Sequence, residues 1–231
     1  MAETIQNNEL GKIDIPANRL LSNESFRTLR TNLLYSSDTH CITITSSSPD
    51  EGKTVISFNL ALSFAQLGKK TLLVDADLKR SSLSQFLNIS RHTSGLSEVL
   101  TNQADLRIIK TNVENLYILP SGAMPINSTE LLSSQLFTPL MDLLKEYYDY
   151  IIVDTPPFAV SNDAMIATKA TDGAIIVVRN QCTRKKEIQR IKEMYDRNNA
   201  RLIGFVLNRV KKNQIDYSNY EYYKNYYYYY Y

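Results

Sequence analysis

The chain has 231 residues, 43% of them hydrophobic, enough for one sizeable core and within the range of a single α/β domain. Its 26 basic and 24 acidic residues leave a formal charge of +2, which gives no broadly basic surface and makes nucleic acid an unfavoured partner. Cys41 and Cys182 lie far apart at the edges of apolar runs, as free thiols do in a reducing cytosol. The opening "MAETIQNNELGK" lacks the layout of a signal peptide, and no run approaches the roughly 18–20 apolar residues that span a bilayer, so any membrane connection is expected through a partner.

In chain order, residues 1–20 read as a polar arm. "LLSNESFRTLRTNLLYSS" then places Phe26, Leu29, Leu33 and Leu34 at helical spacing, one face turned to the domain. Glu24, Arg27 and Arg30 recur every three residues beside that face, and taken alone they read as a solvated helix with an i, i+3 ion pair. Short apolar, β-branched runs follow at 41–46, 71–77, 116–121, 150–157, 173–179 and 202–208, with helical patterns at 53–67, 130–147, 161–169 and 184–198. Buried strands alternating with helices predict an α/β fold, a mostly parallel sheet flanked by helices on both faces. Such sheets bind ligands at the carboxyl ends of their strands. One domain is expected over 21–210. Residues 211–231, without Pro, Gly or apolar periodicity, read as a flexible tyrosine-rich tail.

The polar residues of interest sit at those strand ends. "TSSSPDEGKTVISFNLA" puts Gly52, Lys53 and Thr54 between a buried strand and a helix, the setting of a phosphate-binding loop. Backbone N–H groups and the helix dipole are expected to cradle nucleotide phosphates, with Lys53 on the outer phosphates and the Thr54 hydroxyl on Mg²⁺. Ser47 stands where such loops carry their first glycine, and Asp50 and Glu51 bring two carboxylates close to the phosphates. They are expected either to weaken binding or to help hold magnesium through water. In "LLVDADLKR", Asp75 and Asp77 are two apart on one face, suited to a magnesium contact and to a base accepting a hydroxyl proton, although Asp77 could simply cap a turn. "YIIVDTPP" ends a strand in Asp154, the Walker-B position, where a carboxylate holds Mg²⁺ directly or through water. Asn208 closes the last strand, where its amide could read an adenine edge or serve a strand-end turn.

With the phosphate loop ending "EGKT", these motifs, the helix "ESFRTLRTNL" and a terminal run of tyrosines, the chain resembles the bacterial tyrosine kinases (BY-kinases) of capsular and exopolysaccharide synthesis, in their stand-alone Gram-positive form, from about Asn23 to the C-terminus. The resemblance implies a P-loop NTPase architecture of the ParA/MinD kind and an ATP–Mg²⁺ site. Lys53, Asp75, Asp77 and Asp154 would be catalytic, with Asp77 as proton acceptor. Ser48, Asp50, Glu51, Gly52, Lys53, Thr54, Val55 and Asn208 would lie at the nucleotide, and Thr54, Asp75 and Asp154 at the metal. It makes Glu24, Arg27 and Arg30 a subunit-joining motif of a ring. It makes Tyr217, Tyr220, Tyr222, Tyr223, Tyr226, Tyr227, Tyr228, Tyr229, Tyr230 and Tyr231 sites of autophosphorylation. It implies as partners the cytoplasmic segment of a membrane polysaccharide co-polymerase, which activates the kinase and brings it to the inner face of the membrane, and a cognate tyrosine phosphatase. Two rivals are a ParA/MinD-type ATPase switch, which carries a second lysine where this chain has Ser48, and an ATP-binding regulator without enzymatic activity.

Overall fold

The computed structural model describes residues 9–20, 24–36, 38–90 and 93–210. The expected strands form one sheet. In chain order these are β2 (Cys41–Ser46), β3 (Thr71–Asp75), β5 (Leu116–Leu119), β6 (Tyr150–Asp154), β7 (Gly173–Arg179) and β8 (Leu202–Asn208). Two more strands join them, β1 (Glu9–Ile13) and β4 (Ile108–Thr111), to give the order β1-β4-β5-β3-β6-β2-β7-β8. Every neighbouring pair is parallel except β4 with β5. The α/β class, with helices on both faces, is as expected.

Alternation along the strands explains the two cores. On β6, Tyr150 and Ile152 pack to one side and Ile151 and Val153 to the other; on β7, Ile175 and Val177 oppose Ala174, Ile176 and Val178. A strand buried on both faces needs apolar residues at every position, and that is why these runs are continuous. One face is covered by α1 (Glu24–Leu34) and α2 (Lys53–Gln66). The helix α2 is apolar nearly all round because it is buried nearly all round. Its Phe58 and Phe64 are fully enclosed, and the Phe64 ring stacks on Tyr150 at 3.8 Å. Each such side chain contributes roughly 1.5–3 kcal/mol of apolar burial. Past Leu67 the helix stops at Gly68, in a left-handed conformation (φ 81°).

The other face carries α4 (Leu96–Leu100), α5 (Ser128–Leu132), α6 (Phe137–Lys145), α7 (Asp163–Lys169) and α8 (Lys185–Arg197), while the short α3 (Ser82–Phe86) follows β3. The single helix expected over 130–147 is two. Ser134 breaks it by accepting the Leu136 N–H on its side chain, a local bond that competes with the helix ladder. Residues 9–20, expected in a polar arm, belong to the domain: β1 pairs with β4, Ile15 is buried in the core, and Arg19 lies over the Phe86 ring at 3.8 Å.

Candidate functional site

Three strands meet at the site in the order β3-β6-β2. Register places Asp75, the last residue of β3, opposite Asp154, the last of β6, and sets Ile44 of β2 beside Asp154 from the other side. The chain leaves β2, turns through residues 47–52 and enters α2 at Lys53. This turn needs two left-handed residues, Asp50 (φ 60°) and Gly52 (φ 95°). Asp tolerates that region better than most residues, and at Gly52 a β-carbon would overlap the Asn208 amide nitrogen. The first N–H groups of the 14-residue α2 therefore open beside the strand ends, as an anion site requires. On the facing side Pro156 and Pro157 stiffen the exit from β6, and the N–H groups of Phe158 and Ala159 reach back to the carbonyls of Ser46 and Ser47.

The side chains converge, although β3 ends at Asp75 and Asp77 lies in the turn after it, not on the strand expected over 71–77. Lys53 Nζ donates to Asp77 Oδ2 at 2.9 Å and stands 3.7 Å from Asp154 Oδ2. The Thr54 hydroxyl donates to Asp154 Oδ2 at 2.7 Å, and Ser57 one turn later donates to Oδ1 at 3.1 Å. Asp75 accepts the Asp77 N–H at 3.2 Å and the Ser81 hydroxyl at 3.1 Å. Asp77 Oδ1 takes the Arg80 N–H at 3.1 Å, which closes the turn after β3. Asp77 thus caps a turn and also lines the cavity above it.

Three carboxylates share one ammonium in a place shut from water. Burial, then the charges of Asp154 and Asp77, push the Asp75 carboxyl up to about 8. Burial also raises Asp154, against the opposing pull of Lys53 and the Thr54 hydroxyl. For Lys53 burial acts to lower the pKa, but the carboxylates of Asp154 and Asp77 outweigh it and hold the ammonium charged. This excess of negative charge beside a hydroxyl suits a divalent cation. No ready-made cage of three or more His, Cys, Asp or Glu exists among the described residues. An ion held by Thr54 and Asp154, with Asp75 behind, would complete its shell with phosphate oxygens and water, as Mg²⁺ does.

A cavity of about 220 Å³ opens over this cluster. Of the residues expected at the nucleotide, Asp50, Gly52, Lys53 and Thr54 line it, with Asp77. Ser48, Glu51, Val55 and Asn208 do not. Glu51 is turned away from the cavity and is only 4% exposed. Its carboxylate accepts the Ser47 hydroxyl at 2.9 Å, the Ser48 N–H at 3.1 Å and the Thr183 hydroxyl from beyond β7. This corrects the expectation of a second acid beside the triphosphate: Ser47, at the usual glycine position, supplies the donor that pulls the charge inward. Asn208 ties to the same loop, its Nδ2 donating to the Glu51 carbonyl at 2.8 Å and its Oδ1 accepting the Arg209 N–H. The loop is latched to two later segments of the chain. Sequence reasoning passed over Lys79 and Arg80, which line the cavity; adjacent cations directly after two paired aspartates were the available signal.

On α1, Glu24 and Arg27 are exposed and 3.6 Å apart. Arg30 points inward, its NH1 donating to the Ser63 carbonyl of α2 at 2.7 Å. Tyr217 to Tyr231 lie outside the described residues.

Comparison with known proteins follows the same lines. A family model described as an AAA domain matches residues 39–203. The tyrosine-protein kinase CpsD of Streptococcus pneumoniae is 38% identical over 206 residues, covering 88% of this chain and 91% of that protein. Among solved structures, the chimerical protein CapA2B2 superposes with a TM-score of 0.79 at 35% identity, covering 91% of this chain and 97% of its own. The septum site-determining protein MinD of Pyrococcus horikoshii, complexed with Mg-ADP, superposes with a TM-score of 0.65 at 29% identity, covering 78% and 75%.

Proposed function

The chain belongs to the bacterial tyrosine kinases of the capsule type and is a protein tyrosine kinase, and from that premise we propose that it transfers phosphate from ATP to the tyrosines of its own C-terminal segment, in trans within a ring, under control of a membrane co-polymerase. The observation that carries the reading is the convergence of Lys53, Thr54, Asp77 and Asp154 on one cavity at the ends of three adjacent strands.

Phosphoryl transfer asks mainly for positioning and charge neutralisation. The α2 N-terminus and Lys53 hold the outer phosphates of ATP. A Mg²⁺ ion held by Thr54 and Asp154 would neutralise charge on those phosphates. The acceptor phenol oxygen forms a bond to the γ-phosphorus as the bond from that phosphorus to the β–γ bridging oxygen breaks and ADP leaves. The phenol proton passes to the Asp77 carboxylate, which lines the cavity and is already a hydrogen-bond acceptor there. A tethered run of tyrosines supplies hydroxyls at high effective concentration. The exposed Glu24 and Arg27 of α1 are the groups offered to a neighbouring subunit; Arg30 fixes the helix to the domain. No helix among the described residues is long and apolar enough to cross a membrane, so the link to the membrane is assigned to the co-polymerase's cytoplasmic segment, and reversal to a cognate phosphatase.

The test is incubation with Mg-ATP, with and without that cytoplasmic segment as a peptide, followed by intact-mass measurement and mapping. Phosphate on Tyr217–Tyr231, absent in Lys53→Met, is the expected result. ATP binding with no phosphate on the tail under either condition would sink the reading and favour an ATP-binding regulator.

A further inference from the structure

A second cavity, of about 360 Å³, lies against the first and shares Lys79 and Arg80 with it as a common wall. Its size is in the range of small-ligand pockets, about 300–1,000 Å³. Three features of its lining belong together. Lys79 and Arg80 bring two positive charges. Lys79 leans on the buried Asp163 at 4.0 Å, whereas the Arg80 guanidinium, on an exposed residue, has no hydrogen-bond or ion-pair partner among the described residues. Ser81, Ser84 and Thr93 line its floor, the first two with their hydroxyls turned onto Asp75, and no acid among the described residues lines the cavity. Two carboxylates behind this lining are already engaged. Asp75 is fully buried beneath the hydroxyls of Ser81 and Ser84, and Glu98 accepts the N–H groups of Gly95 and Ala123 and the Ser97 hydroxyl. The lip is apolar: Met124 lines the cavity while 74% exposed, and Ile126 beyond it is fully exposed.

Cations, hydroxyls and an apolar lip ask for a ligand that is anionic at one end and aromatic behind it. Guanidinium groups pair with phosphate through fork-shaped hydrogen bonds, and thioethers pack well on aromatic rings. Resting on the tail-phosphorylation reading above, we propose that this second cavity is a phosphotyrosine subsite, which holds an already modified tyrosine while a neighbouring tyrosine of the same segment reaches Asp77. The shared wall supplies the spacing, since in an extended segment residues two apart lie about 7 Å from one another on the same side. The run "NYYYYYY" that closes the chain is the acceptor such a device suits: each product becomes the anchor for the next transfer, so modification proceeds along the run. The subsite gives the kinase a preference for partly phosphorylated tails over unmodified ones.

The test is a binding measurement, independent of turnover. Fluorescently labelled twin peptides, one with phosphotyrosine and one with tyrosine beside an acceptor tyrosine, are titrated with the full chain saturated with Mg-ADP, so that the phosphate loop is filled. The phosphopeptide is expected to bind about tenfold more tightly, the worth of one charge-assisted contact. Gln85→Glu and Thr93→Glu, surface changes that put an acid into the second cavity alone, are expected to bring the ratio to about one. Equal affinity of the twins, or a preference that survives both substitutions, overturns the proposal. So does complete displacement by inorganic phosphate at a concentration equal to the peptide's, because the ring is then not recognised. A chain that prefers the phosphopeptide but adds no phosphate to its own tail leaves the subsite standing and removes the tail reading.

Discussion

Gly52→Ala is expected to damage the phosphate loop for two separable reasons. The first is conformational: Gly52 has φ 95°, and a side chain there costs about 1–2 kcal/mol. The second is steric. The new β-carbon overlaps the Asn208 amide, which must swing away and give up its 2.8 Å hydrogen bond to the Glu51 carbonyl, worth about 1 kcal/mol. The sum is roughly 2–3 kcal/mol, and since the distortion falls where the α2 N–H groups open, nucleotide affinity is expected to fall at least about tenfold. A double-mutant cycle with Asn208→Ala separates the two causes. Asn208→Ala alone loses the hydrogen bond, but in that background the alanine at 52 meets no obstacle and pays only the conformational part. Urea unfolding of the four proteins and titration with a fluorescent ADP analogue measure the terms, and a coupling of about 1 kcal/mol in the favourable direction is expected. If Gly52→Ala cost the same with and without Asn208, the steric argument would be wrong; if it cost nothing, the loop geometry would be wrong as well.

Two further outcomes follow from burial. The Asp75 carboxyl is raised to about 8, above its ordinary value of 3.8, so the folded chain holds a proton that the unfolded chain releases. The stability this provides is present at low pH and is lost as pH rises from the unfolded value through about 8, by at most about 1.4 kcal/mol per pH unit. In chelator and without nucleotide, Asp75→Asn should therefore gain on the wild type between about pH 6 and pH 8.5 in urea midpoints, and a gap that stays constant over that interval refutes the assignment. Cys41 is fully buried, and burial raises its thiol far above the ordinary range, whereas Cys182 is exposed. A thiol reagent should modify one cysteine quickly in the native protein and the second only after denaturation, with two fast thiols contradicting the core placement of β2.

What could be read in advance was what is local in the chain. Apolar runs ending in Asp75 and Asp154 mark strand ends because a buried strand has no other place for a carboxylate, and "GKT" between strand and helix marks the loop. The register that sets Asp75 against Asp154 then followed from the fold. What could not be read was where long-range partners lie. The segment "ELGKI" looks polar, and only pairing with Ile108–Thr111, about 100 residues on, makes it a strand. Glu51 and Thr183 are 132 residues apart, and nothing in either neighbourhood announces their bond. The second cavity was hidden for a similar reason: Arg80 and Thr93 come from one stretch, but Gly122 and Met124 reach it from beyond β5.

The inward turn of Glu51 also bears on how this site differs from the ATPase switches that share its fold. Those proteins place a second lysine where this chain has Ser48, which adds a positive charge at the phosphates. Here the Ser48 N–H is spent on the Glu51 carboxylate, so that position contributes neither a side-chain charge nor a free backbone donor. The acid itself is held by three donors and does not line the cavity. Lys53 and the α2 dipole are therefore the cationic elements of the loop itself, and Lys53 is shared with Asp77 and Asp154. With Asp77 and Asp154 against them they leave negative charge in excess at the cavity, a setting that suits a divalent ion, whereas Lys79 and Arg80 stand at the wall shared with the second cavity. On the proposed subsite, the positive charge that this loop does without at Ser48 is found instead in Lys79 and Arg80, at the wall where a phosphorylated chain would be held.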